Sequence, residues 1–352
     1  MDQTESIIGS LLGTSVGDAL GLPYEGLTPQ RAKRILGPPD RCRLVFGRGM
    51  FSDDTEHTCM VAQSLIKSGF REDEFQADFA RRLKWWLAGC PAGVGFATLR
   101  SILKLWLGWP PGRSGVDSAG NGPAMRAPLF GAVLDDPPDI LDFVRLSTVV
   151  THQDPRAFHG AATVALAALA ARTQYNSEPH QFPSWVRSLL GPEAEELHDL
   201  LDEVAESVAG CETTRDFAER KGMSRGISGY VLQTVPIAIH AWLSHRNSFR
   251  STVMSVIECG GDADTTAAIV GGITGAAVGT AGIPPSWILQ ICDRPRSVEW
   301  IRTLGRQLAE CVQDPKHHPQ QPVTIPAVPL LCRNVLFAII VIGHGFRRIF
   351  PR

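Results

Sequence analysis

An all-α domain is the fold this sequence predicts, on three observations. Apolar residues recur at three- and four-residue steps along most of the chain. Sustained apolar–polar alternation, the mark of half-buried strands, is missing. The apolar stretches are rich in Ala and Gly, which suits helices packed closely in a compact multi-helix body.

The elements follow in order. Ile7, Ile8, Leu11, Leu12, Val16, Ala19 and Leu20 mark a first helix, and Gly9, Gly13 and Gly17 form a small-residue stripe beside them that admits another backbone. Residues 43–46 read as a short extended piece. Further helices are predicted over 75–87, 157–171, 193–209, 231–243 and 297–312, with Pro236 kinking the fourth of these or marking its first turn. The Gly- and Pro-rich stretch 108–123 and the polar stretch 172–183, closed by Pro179 and Pro183, read as loops. Trp85, Trp86, Trp106 and Trp109 read as core or cleft wall, the last two as cleft lining.

Residues 1–312 are expected to form one domain. A linker over 313–330 follows, carrying Pro315, Pro319, Pro322, Pro326 and Pro329, and then a short separate segment over 331–352. The segment holds an apolar run, 335–342, followed by Arg347, Arg348 and Arg352. That run falls short of the ~20 residues that span a bilayer. Three readings stay open for it: a helix docked on the domain, a self-association contact, or a peripheral membrane anchor.

Composition sets outer limits. A hydrophobic share of 44% and a charged share of 20% belong to a soluble globular protein, and a net charge of -2 gives no electrostatic basis for binding nucleic acid. The eight cysteines are widely spaced with no Cys-x-x-Cys, and no positively charged leader precedes an apolar core at the N-terminus. Reduced thiols in a cytoplasmic protein, without a zinc site, are the expectation.

Two acidic clusters carry the chemistry. Ser52-Asp53-Asp54-Thr55 and Asp262-Ala263-Asp264-Thr265 each set two carboxylates beside hydroxyls, with no adjacent Lys or Arg. The first alone reads equally well as ordinary helix-start chemistry, a capping Ser with acids in the first turn. The second precedes a very apolar, Gly-rich run over 267–279, where an unpaired carboxylate is costly. Taken together, they read as two halves of one site for hard divalent cations such as Mg²⁺ or Mn²⁺. Between them lie Gly120-Asn121-Gly122, a turn whose backbone N–H groups suit phosphates but which also reads as a plain turn, and His152, beside Asp154.

The ordered set Gly17-Asp18-Ala19-Leu20-Gly21, Tyr24-Glu25, Ser52-Asp53-Asp54-Thr55, Gly120-Asn121-Gly122-Pro123-Ala124-Met125-Arg126, Thr151-His152 and Gly260-Gly261-Asp262-Ala263-Asp264-Thr265 resembles the ADP-ribosylglycohydrolase family. The resemblance spans about 6–279 and continues toward 312. It implies an all-α fold with two Mg²⁺ ions (Mn²⁺ as the substitute) at the base of an ADP-ribose cleft. The metal ligands it implies are Ser52, Asp53, Asp54, Asp262, Asp264 and Thr265, with Ser52 where many members carry Thr. It implies Glu25 at the reaction centre; on chemical grounds Asp262 is the other candidate base. Ser118, Gly120, Asn121 and Gly122 would hold diphosphate and ribose, His152 the nucleotide part, and Gly229 and Tyr230 would lie near adenine. Ala119 departs from members with an aromatic residue there. The implied activity is metal-dependent cleavage at C1″ of ADP-ribose attached to a protein, arginine favoured, or to a small molecule. The alternative is a non-catalytic ADP-ribose binder or partner-blocking protein of the same fold.

Overall fold

The computed structural model describes residues 2–175, 178–246, 248–314, 316 and 318–349. Those residues are all-α as predicted: paired extended backbone occurs among them only as isolated bridges. The expected extended piece at 43–46 is one of these, a tight turn in which Val45 and Arg48 exchange backbone hydrogen bonds of 3.2 and 2.8 Å.

Seven helices position the site: α1 (Gln3–Gly21), α2 (Asp53–Ser68), α3 (Pro155–Thr173), α4 (Val231–His245), α5 (Ala263–Gly282), α6 (Val298–Gln313) and α7 (Ala327–Ile349). Both α1 and α5 are buried along most of their length, and they pack on each other at the centre of the molecule. Backbone approach requires Gly here. A Cβ on Gly13 would stand 2.1 Å from the carbonyl oxygen of Gly271, and one on Gly271 would stand 2.3 Å from that of Gly13. The stripe on α1 is therefore answered by a stripe on α5, and the helices meet main chain to main chain. Gly13→Val is expected to destabilise the fold by at least about 1–3 kcal/mol, since the obstacle is backbone and cannot rotate away. The urea midpoint measures this; an unchanged midpoint would mean that the two helices are free to separate.

Pro236 lies within α4, beyond its first turn. The Pro-rich stretch lies along the domain: the Gln320 N–H donates to Ile66 O at 3.0 Å, and Gln63 Nε2 donates to Val323 O at 2.7 Å. Pro315 lies outside the described residues.

The tail departs from its sequence reading in length. It is a helix starting at Ala327, and its 327–346 portion (mean hydropathy 1.8, 22% buried) is long and apolar enough to cross a membrane. Helix α5 passes the same test while 67% buried in the domain. The apolar run at 335–342 understated the tail because Arg333 and Asn334, which interrupt the apolar sequence, are buried against the domain. Val335, Leu336, Ile339 and Ile342 are exposed instead. The side chains of Arg347 and Arg348, and all of Arg352, lie outside the described residues.

Docking of α7 rests on a buried ion-pair network. Arg333 pairs with Asp293 and, at 3.0 Å, with Glu56 on α2; Glu56 also pairs with Arg296 and accepts from the Trp86 indole N–H. Two acids and two arginines are thus buried as a balanced set, the condition under which buried charge is tolerated.

Candidate active site

The N-termini of α2 and α5 meet at a cleft of about 630 Å³, a size that suits a small-molecule ligand. Both helix starts carry acids in the first turn, where the helix dipole favours negative charge.

At α2, Ser52 is the N-cap and its hydroxyl accepts from the Asp54 N–H at 3.4 Å. Its register is set from α1. The fully buried Asp18 carboxylate accepts the Ser52 N–H at 2.9 Å, the Thr55 N–H at 3.1 Å and the Thr55 hydroxyl at 2.6 Å. Burial pushes Asp18 up to about 7, against these hydrogen bonds. Asp18 is thus a positioning residue. The sequence showed it only as part of a glycine-bounded motif; its visible mark was a carboxylate in an otherwise apolar helix.

At α5, Gly260 and Gly261 take φ of 69° and 78°, the left-handed region that favours Gly. The resulting turn ties three loops together: Gly26 N–H donates to Gly261 O at 2.7 Å, Gly261 N–H to Leu27 O at 2.8 Å, and Asp262 N–H to Ile227 O at 2.8 Å. Glu25 is thereby held on the same wall as Asp262 and Asp264.

The two clusters, far apart in sequence, are in contact: the Thr265 hydroxyl donates to Asp54 Oδ2 at 3.4 Å, and Ser52 Oγ donates to the same oxygen at 3.1 Å. Ser52, Asp53, Asp262, Asp264 and Thr265 face the cleft, and Asp54 is buried beside them. Burial, followed by mutual repulsion, raises three of these acids well above the carboxylate range. Asp54 is repelled by Asp18, Asp53 and Asp262. Asp264 is repelled by Glu25, Asp262 and Asp54, and Asp53 by Asp18, Glu56 and Glu25.

The other predicted residues divide. Ser118, Gly120, Asn121, Gly122, His152 and Gly229 line the cleft; Tyr230 does not. The Tyr230 backbone bridges to Gly120, and its hydroxyl accepts from Arg156 at 3.3 Å. Asn121 Nδ2 donates to Asp262 Oδ2 at 2.7 Å and to Thr234 Oγ1 at 3.0 Å. Its backbone N–H is taken by Gly229 O at 3.0 Å, so at this position the turn offers a phosphate no free N–H. His152 packs against Gly120 and Gly122, with its Nδ1 2.9 Å from the Thr151 hydroxyl. Burial, reinforced by the Arg126 charge, pushes His152 down to about 3, so it is neutral at physiological pH. Arg126, the last residue of that motif, is buried and holds the loop from behind through Gly122 O at 2.8 Å and Thr151 Oγ1 at 2.9 Å.

A divalent cation fits this donor set. Asp54 Oδ1 is buried with no hydrogen-bond partner, an arrangement that is costly unless something answers it. The surrounding carboxylate and hydroxyl oxygens are hard donors. In the observed side-chain positions, no three or more His, Cys, Asp or Glu among the described residues close around one point.

Residues 1–317 match the model of the ADP-ribosylglycohydrolase family. The chain belongs to that family. An uncharacterized protein of Archaeoglobus fulgidus is 30% identical over 313 residues, covering 87% of this chain and 96% of its own. The ADP-ribosyl-[dinitrogen reductase] glycohydrolase of Rhodospirillum rubrum is 28% identical over 81% of this chain and 89% of its own. Human ADP-ribosylhydrolase ARH3 is 27% identical over 81% and 88%. A solved structure titled ADP-ribosylglycohydrolase-related protein complex shares the fold, with a TM-score of 0.59 at 23% identity over 88% of this chain and 98% of that one. Family and relatives support a glycohydrolase acting on ADP-ribose conjugates.

In this ADP-ribosylglycohydrolase, Trp106 and Trp109 do not line the cleft as expected. They are about half exposed, each under a Lys ammonium 4.5 Å from its ring, while Trp86 is buried. Their place at the lip is taken by Phe96, which is 74% exposed. Phe337 and Val341 of α7 also line the cleft; both belong to the apolar run 335–342, whose sequence did not point to the cleft.

Proposed function

We propose that this glycohydrolase is Mg²⁺-dependent and hydrolyses the bond at C1″ of the distal ribose, releasing ADP-ribose from cytoplasmic protein or small-molecule conjugates, arginine linkages first. The supporting observation is the buried junction of the two acidic clusters at Asp54, with its unanswered Oδ1. Ser52, Asp53, Asp54, Asp262, Asp264 and Thr265 would hold two Mg²⁺ ions, with Mn²⁺ as the substitute. Bound there, such ions supply Lewis acidity toward ribose hydroxyls and water.

The protein's own groups do the rest. Glu25, which lines the cleft, is the proton acceptor for the attacking water. Asp262, whose Oδ2 accepts from Asn121, orients that water. Ser118, Gly120, Gly122 and neutral His152 form the flank for the diphosphate and its ribose. Gly229 lines the adenine end, and Tyr230 stays behind it.

Release of ADP-ribose from arginine-, serine- and nucleotide-linked substrates, with Mg²⁺ and with EDTA, tests this. Mg²⁺-dependent release, greatest from arginine, is expected. Equal release in EDTA would remove the metal from the reading. Tight ADP-ribose binding without release from any linkage would leave a binding protein of the same fold.

A further inference from the structure

Helix α7 lies beyond the residues that match the family model, which end at 317. Yet it is fixed to the cleft at two levels. Arg333 locks its first half into the ion-pair network at the base of α2, the helix that carries Asp53 and Asp54. Farther along, the His344 imidazole lies 3.1 Å from Pro23 O, on the turn that leads into Glu25. Between these anchors, Phe337 is buried with Leu22, Leu44 and Met50, and the half-buried Val341 packs beside them. Leu22, Phe337 and Val341 are among the residues that line the cleft, as is Glu25.

The two flanks of the cleft differ in chemistry. The flank built by Ser118–Gly122 and Gly229 is polar backbone, hydroxyl and imidazole. The α7 flank is hydrocarbon up to the carboxylates of Glu25 and Asp53. A group that satisfies the second flank has a cationic, hydrogen-bond-donating end and an unbranched aliphatic stem.

We propose that α7 is the acceptor-side wall of the cleft, with Val341 and Phe337 receiving the methylene stem of a guanidine acceptor joined to ADP-ribose. The assignment rests on the hydrolase reading above and adds to it the part of the substrate that lies beyond the scissile bond. A bare guanidinium reaches only the carboxylates. A stem of three or four methylenes covers Val341 and displaces water from it, and burial of about two of them raises affinity roughly tenfold.

The test uses the full-length protein and two substrates, ADP-ribosylated n-butylguanidine and ADP-ribosylated methylguanidine, which share the cleaved bond and differ in the stem. The unmodified protein should show kcat/KM about tenfold or more higher for the butylguanidine conjugate. Val341→Asp should bring the ratio close to one and Val341→Ala should fall between, with the Kd for free ADP-ribose within about twofold of the original. Thermal unfolding of each variant confirms that α7 remains docked. An unmodified protein that treats both conjugates alike, one that turns over neither while binding ADP-ribose, or a Val341→Asp variant with an undiminished ratio would overturn the assignment. Failure to bind ADP-ribose at all would instead overturn the hydrolase reading on which it stands.

Discussion

Asp264→Ala is expected to remove the proposed Mg²⁺-dependent release of ADP-ribose, lowering kcat/KM by at least about 10³-fold, and to leave the metal-free fold standing. Asp264 is the second acid of the α5 start, buried, and repelled first by Glu25 and then by Asp262 and Asp54. Its carboxylate makes a hydrogen bond of 3.0 Å to the Thr265 N–H directly following it. Alanine loses that bond, worth about 1 kcal/mol, and relieves the repulsion among the remaining acids. The unfolding temperature in EDTA should therefore hold steady or rise while turnover collapses. Two assays on one preparation separate these effects: ADP-ribose release across a Mg²⁺ titration, and thermal unfolding in EDTA. Undiminished release by the variant sinks the shared-site reading. A large fall in stability would instead make Asp264 a scaffold residue.

Arg333→Ala has the largest expected effect on stability, about 3–5 kcal/mol. The guanidinium pairs with Asp293, donates to Phe51 O and reaches Glu56 at 3.0 Å, and all three of these charged groups are buried. Its removal leaves Asp293 as an unpaired buried charge, while Glu56 keeps Arg296. The unfolding midpoint should fall by about 5 °C or more, and adding Asp293→Ala should recover part of the loss, since the stranded charge is then gone. A loss under about 1 kcal/mol would show that water reaches the network. Because the network ends on α2, hydrogen exchange at 53–58 should speed up together with exchange in α7.

How far the sequence was legible depended on how local each feature is. The helices were readable because their apolar spacing is a property of each segment, and the acid clusters because four carboxylates stood without neighbouring cations. The α1 stripe announced a close partner but not its identity; only the answering Gly271 on α5 makes the contact unambiguous. Asp18 could be seen but not assigned, because its partners, Ser52 and Thr55, lie a whole helix away. Least legible was the tail. Arg333 and Asn334 read as polar interruptions of an exposed apolar segment, whereas they are its buried face, and two of their partners, Glu56 and Gly89, lie 277 and 245 residues back in the chain. The tryptophans misled for the converse reason. Large aromatics suggest a buried or ligand-facing place, but at Trp106 and Trp109 Lys ammonium groups sit over half-exposed rings.

The contact between α1 and α5 acts as a ruler. One end of it holds Asp18, which sets the start of α2, and α5 begins at the same end with Asp264. Main-chain atoms are its graduations: the helices meet at glycines, so any larger side chain there would force the two acidic helix starts apart. Finer adjustment of that gap falls to the turns that feed those starts, 22–27 and 258–262, where spacing is set by a few hydrogen bonds. In this protein the separation of the two acid clusters is a property of the scaffold.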